Sequence, residues 1–127
     1  MSAASDMSAI VLAVTGLTFI AMGLPALVRP AGMVRYFGLT ATTADLRNEI
    51  RAVYGGFGVA FGGLLLATIV ALPAYAPGIL LAAAVALLGM AGGRLLGFTC
   101  ERAGRWPWVF GIIEVAAGAA LLTTLSG

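Results

Sequence analysis

The chain has 127 residues, of which 61% are hydrophobic and only 9% charged, and its mean hydropathy is +1.08. About a quarter of a soluble domain's residues are charged, and a chain this short would need more polar surface still, so a water-soluble core is excluded and the expected solvent is lipid. The net charge of +2 comes from arginines spread in ones and twos, which excludes a nucleic-acid-binding block; a single cysteine and no histidine exclude an internal disulfide and the usual zinc and haem ligand sets.

Crossing a hydrocarbon core of about 30 Å takes roughly 20 apolar helical residues. Four segments qualify, at residues 9–28, 52–72, 78–98 and 106–125. The first lacks the positive leader of a secretory signal and carries Asp6 instead, so it is expected to be a retained helix. Arg29-Pro30 closes it, because proline removes a donor and disfavours helix in the residue before it. In the connection that follows, residues 31–39 place Met33, Tyr36 and Phe37 around Arg35, the pattern of a short piece lying along the interface. Thr42 followed by Asp45 suggests a capped helix start ahead of span two.

Spans two and three are joined only by Pro73-Ala74-Tyr75-Ala76-Pro77, a connection that predicts a tight antiparallel hairpin of neighbouring helices. The fold class expected is therefore all-α: one membrane domain built as an antiparallel four-helix bundle. Arg29, Arg35, Arg47 and Arg51 lie between spans one and two, and Arg94, Arg102 and Arg105 lie near the connection of three and four. The other connection and both tails carry no arginine, which predicts both termini outside the cytoplasm of a bacterial inner membrane. Trp106, Trp108 and Tyr36 fit an aromatic belt on the arginine side, with Tyr75 on the other.

Helices in lipid associate through close backbone approach at small residues. Gly58 and Gly62 in span two, Gly89, Gly93 and Gly97 in span three, and Gly111 and Gly118 in span four are expected to pack helices. Gly16 and Gly23 in span one recur seven apart, so they share a face.

Glu114 is the residue with most chemistry, lying about 12 Å along span four from Trp106. An ionised carboxylate at a helix centre costs roughly 2.5–3.5 kcal/mol, which calls for a partner or a proton. Arg51 and Arg94 stand near the same depth, each about a turn inside the arginine-side surface, and Tyr54 follows Arg51 by three residues. An Arg51–Glu114–Arg94 cluster with Tyr54 beside it is expected. Three roles suit such a cluster: fixing helix register, binding a ligand or coupling an ion, or general acid–base catalysis. Catalysis is the least supported, since no nucleophile or second carboxylate shares that depth. Both arginines snorkelling to headgroups is the alternative arrangement.

Asn48-Glu49-Ile50-Arg51-Ala52-Val53-Tyr54-Gly55-Gly56, Gly93-Arg94 and Glu114 together resemble a bacterial family of small four-helix membrane proteins known only as a domain of unknown function. The architecture is also similar to DoxX-like membrane proteins, some of which are linked to quinone-coupled redox complexes. The first resemblance implies the fold and the importance of Arg51, Tyr54, Arg94 and Glu114; it implies no activity. The expected function is a non-enzymatic accessory subunit or helix-packing module, forming a homo-oligomer or joining a larger membrane complex without a cofactor. The alternative is a small transporter, or a lipid or metabolite binder, that uses the Arg–Glu cluster. Small multidrug exporters share four helices and one membrane carboxylate, but theirs lies in the first helix, and the strong arginine asymmetry here does not suit their dual-topology versions.

Overall fold

The structure, a computed structural model, describes residues 3–40 and 42–126. Its helices are α1 (Ala3–Val28), α2 (Pro30–Arg35), α3 (Ala44–Ile50), α4 (Phe57–Val70), α5 (Ala76–Cys100) and α6 (Arg105–Ser126). No strand occurs among the described residues. Four continuous helical stretches are long and apolar enough to cross a membrane, Ser5–Val28, Ala44–Val70, Pro73–Cys100 and Arg105–Ser126. They alternate in direction as an antiparallel bundle, and their outward surfaces carry large apolar side chains such as Val14, Val70, Leu95 and Ile112. An apolar exterior is what lipid solvation requires and water would oppose.

The local chemistry of the first connection explains its shape. Pro30 suits the first turn of α2, where an N–H has no helical partner. α2 stops three residues past its last turn at Gly38, the one described residue with a positive φ, +72°. There the Gly38 N–H donates to the Arg35 carbonyl at 3.0 Å and the Leu39 N–H to the Val34 carbonyl at 3.1 Å, a Schellman pair that needs a left-handed residue at that point. α3 then opens at Thr43, whose hydroxyl accepts from the Leu46 N–H at 3.1 Å. The cap is thus Thr43 rather than Thr42, because only Thr43 has extended backbone immediately before the first helical turn.

Between α3 and α4 the chain passes without a break through a π-helical stretch, Arg51–Gly56. The Phe57 N–H reaches back five residues to the Ala52 carbonyl, which lodges one extra residue in the helix. The stretch coincides with Arg-Ala-Val-Tyr-Gly-Gly, and it aims both Arg51 and Gly55 at the end of α1.

The bundle is two tightly packed pairs, α1 with α4 and α5 with α6. In the first pair, a Cβ placed on Gly62 would stand 2.5 Å from the Gly16 carbonyl, one on Gly58 would stand 3.1 Å from the Phe19 carbonyl, and one on Gly23 would stand 2.9 Å from the Val59 nitrogen. Four glycines from two helices therefore form one backbone-to-backbone seam. In the second pair Gly118 of α6 accepts Leu88 of α5, with its Cβ site 2.9 Å from that side chain. Leu12, Leu65, Leu80, Ala83, Ala84, Leu87 and Leu121 make the core where the two pairs meet.

The short hairpin at Pro73 makes spans two and three neighbours, but α4 and α5 touch only sparingly. The close-approach surface of α4 is committed to α1 and the inner face of α5 to α6, so the turn joins them without packing them. Gly89, Gly93 and Gly97 do not pack against the described residues of this bundle either, because none of those would come within 4 Å of a Cβ at any of the three. The inner face of α5 is built from Leu80, Ala83, Ala84, Leu87 and Ala91, and Gly89 and Gly93 lie on the opposite side.

Adjacent glycines of α4 supply a matched test. Gly62→Ala is expected to lower stability by about 1–3 kcal/mol through overpacking against Gly16, whereas Gly63→Ala, with nothing within 4 Å of the new carbon, should leave it unchanged or slightly raised. Reversible unfolding in mixed detergent micelles measures both.

Candidate functional site

The arginine-bearing end of the bundle holds the polar chemistry. Arg94, near the last two turns of α5, and Glu114, in the third turn of α6, face each other across the α5–α6 contact. Arg94 Nε donates to Glu114 Oε2 at 2.8 Å and Oε1 at 3.1 Å, and Nη2 donates to Oε1 at 2.9 Å. This two-pronged contact uses the planar fork that distinguishes arginine from lysine. Glu114 is buried, its side chain 7% exposed, whereas that of Arg94 is 26% exposed. The carboxylate is thus enclosed, and the cation reaches outward along its stem.

The surroundings explain how an arginine fits. Gly111, one turn before Glu114, leaves the Arg94 Cδ 3.6 Å from where a Cβ would be, so the aliphatic stem lies flat on α6. The Arg94 guanidinium carbon stands 5.4 Å from the centre of the Phe110 ring, a cation–π distance. An aromatic strap then covers that ring. Phe37 lies 6.4 Å and Trp106 6.0 Å from Phe110, and Tyr36 meets Trp106 edge-on at 5.2 Å. The interfacial piece after span one is thereby tied to the start of α6. Trp108 stacks on Phe98 of α5 at 4.0 Å, and Arg105 lies 5.1 Å from the Trp106 ring.

Arg51 and Tyr54 stand apart from this pair, so the expected three-part cluster is not what forms. Arg51 Nε donates to the Leu27 carbonyl at 3.1 Å, satisfying one of the acceptors that the end of α1 leaves unpaired. Arg51, at the start of the π-helical stretch, meets α1 and stands away from the Arg94–Glu114 pair. Tyr54 lies in the same stretch, about half exposed, and makes no hydrogen bond with a described residue. Of the seven glycines expected to pack helices, Gly58, Gly62 and Gly118 make close approaches, and Gly111 seats Arg94.

Several residues of the site escaped the sequence reading. Phe110 and the Tyr36–Trp106 strap depend on a connection folding back across the bundle end, which no periodicity announces. Gly55 is packed tightly, its Cβ site 2.7 Å from Leu27; its place three and seven residues before Gly58 and Gly62 was the signal that could have found it.

No group of three or more histidine, cysteine or acidic side chains capable of holding a metal occurs among the described residues. Every buried side-chain nitrogen or oxygen among them has a hydrogen-bond partner. The geometry around Glu114 is that of a closed clamp between two helices.

Residues 7–125 match a family described as Domain of unknown function (DUF4345). The chain belongs to that family. The match covers all four membrane-length helices, the π-helical stretch and both members of the Arg94–Glu114 pair. No curated protein and no solved structure matches the chain.

Removing one partner should cost more than removing both. Glu114→Leu alone is expected to destabilise the bundle by roughly 1.5–3 kcal/mol, and Arg94→Met combined with Glu114→Leu should recover part of that loss. A double-mutant cycle in detergent unfolding gives the coupling energy, and additive losses would mean that the pair does not hold α5 to α6.

Proposed function

We propose that the protein is a non-catalytic association module of the cytoplasmic membrane, pairing through the outer face of α5 with the same face of a second copy. The observation that carries this reading is the open row at Gly89, Gly93 and Gly97, where no described residue would come within 4 Å of an added Cβ. Ala82 and Ala86 extend it on the same exposed side of the helix. Small residues four apart allow two transmembrane backbones to approach closely, and exposure of such a row to lipid gains nothing. The α1–α4 seam, in the same chain, uses the same chemistry for internal packing.

The closed state of Glu114 supports the same reading over transport. Its two oxygens are engaged by Arg94, and neither the crevice between Leu12 and Leu80 nor the one between Arg29 and Arg51 is lined by either residue. A transporter that worked by protonating this carboxylate would have to open the α5–α6 clamp at each cycle. For orientation, the arginine-bearing end faces the cytoplasm in this reading and both termini lie on the other side.

Cys100 tests both parts, since it is the only thiol in the chain and it is exposed. It follows Gly93 by seven residues, two helical turns, and so shares its face. In native membranes a short bis-maleimide should give a covalent dimer, and Gly93→Leu should reduce that product at least about tenfold. Because no described residue would come within 4 Å of a Cβ at Gly93, this variant should keep its thermal stability. A monodisperse monomer in mild detergent with no cross-link in membranes contradicts the pairing. In sealed cells an impermeant maleimide should miss Cys100 and should react once the inner surface is opened; labelling from outside would reverse the orientation.

A further inference from the structure

Beside the end of α1, the first connection and α3 enclose an open crevice of about 410 Å³ lined by Arg29, Arg35, Arg47 and Arg51, with Ala31 and Gly32 between them. More than half of the chain's arginines meet there. No carboxylate lines it, and helical spacing explains why: Arg47 and Arg51, four apart, share one face of α3 and its continuation, while Asp45 and Glu49, also four apart, occupy the opposite face. The Arg51 N–H bonds back to the Arg47 carbonyl, so that spacing holds up to the start of the π-helical stretch.

Two of the side chains, Arg29 and Arg35, are poised rather than paired. Neither Arg29 nor Arg35 makes an ion pair or side-chain hydrogen bond with a described residue. Arg51 commits its Nε to the Leu27 carbonyl, which fixes the plane of its guanidinium while its terminal nitrogens keep their donors. Arg47 adds positive charge to the same wall. Four guanidiniums around one opening repel each other unless an anion is shared among them, and the floor is open at Gly32, where a Cβ would meet nothing within 4 Å. The crevice starts at the first residue past the apolar end of α1, the level at which a bilayer presents its phosphates.

We propose that this crevice is a binding site for a phosphate group, supplied by the headgroup of an anionic phospholipid in the adjoining leaflet. Arginine forks match phosphate oxygens in two-pronged contacts, and a phosphate brings the negative charge that no lining side chain supplies. The open side of the crevice admits a headgroup whose chains remain in the bilayer. The site is independent of the α5 face, and its failure would leave the pairing reading untouched.

Native mass spectrometry of the full chain from mild detergent, with phosphatidylglycerol and phosphatidylcholine of matched chains, tests the assignment. One phosphatidylglycerol should be retained in preference to phosphatidylcholine. Arg29→Gln with Arg35→Gln should reduce that preference by about 25-fold, roughly fivefold for each guanidinium. Thermal unfolding of that variant in neutral detergent should match the parent, because neither side chain has a partner in the fold. Arg102→Gln with Arg105→Gln removes equal charge at the same membrane surface and should leave the preference intact. Millimolar inorganic phosphate that binds with the same dependence on Arg29 and Arg35, while the lipids show no preference, would keep the phosphate site and assign its source to solution. Equal retention of both lipids with no phosphate effect, or equal losses in the two double variants, overturns the proposal.

Discussion

Gly16 and Gly62 bring the backbones of α1 and α4 so close that a single added methyl would collide with a carbonyl. In lipid this contact carries more weight than it would in water, because apolar side chains gain little by leaving one hydrocarbon environment for another. What remains to hold helices together is dispersion between surfaces that fit, and glycine gives the closest fit. Gly23, Gly55 and Gly58 extend the seam toward the end of α1. There it delivers Arg51 to the Leu27 carbonyl and shapes the arginine-lined crevice beside it. The position of the basic surface thus follows from a seam with no charge in it.

The second helix pair is held differently. α5 and α6 share Gly118 against Leu88, and they also share an enclosed ion pair. Breaking such a pair in a poorly hydrated place leaves one charge stranded, so it acts on geometry more than on net stability. The contact can form only when Arg94 and Glu114 stand level across the helices, with Phe110 beneath the guanidinium and Gly111 beneath its stem. A slide of one helix by one residue would misalign the fork. The aromatic strap adds a third element, since Tyr36 and Phe37 bind the interfacial connection to Trp106 and Phe110.

How much of this was legible in the sequence depends on the range of each interaction. The four spans were readable because length and hydropathy are local, and lipid demands both. Glu114 was conspicuous as one acid amid Ile112, Ile113 and Val115, and the depth argument correctly pointed to Arg94. Arg51 was misassigned because depth alone does not choose between neighbours: it lies seven residues before Gly58, on the face of the second span that meets α1, and its partner there is the Leu27 carbonyl. Likewise Gly89, Gly93 and Gly97 have the spacing of packing glycines, and spacing says nothing about whether the surface that meets them belongs to the same chain. Helix order around the bundle was the least accessible feature, because the Pro73 turn constrains only where α5 begins.

The π-helical stretch has a further consequence for how the second span is phased. Holding one surplus residue, it offsets everything after Phe57 by about 100° relative to an uninterrupted α-helix. Arg51 and Gly58 are seven apart, a spacing that places them on one face of a regular helix, and across the bulge both still address α1. The two surfaces meet at a single bulge, so a one-residue deletion within Arg-Ala-Val-Tyr-Gly-Gly would take out the surplus residue and let regular α-turns close with the basic rim and the glycine seam on their present faces.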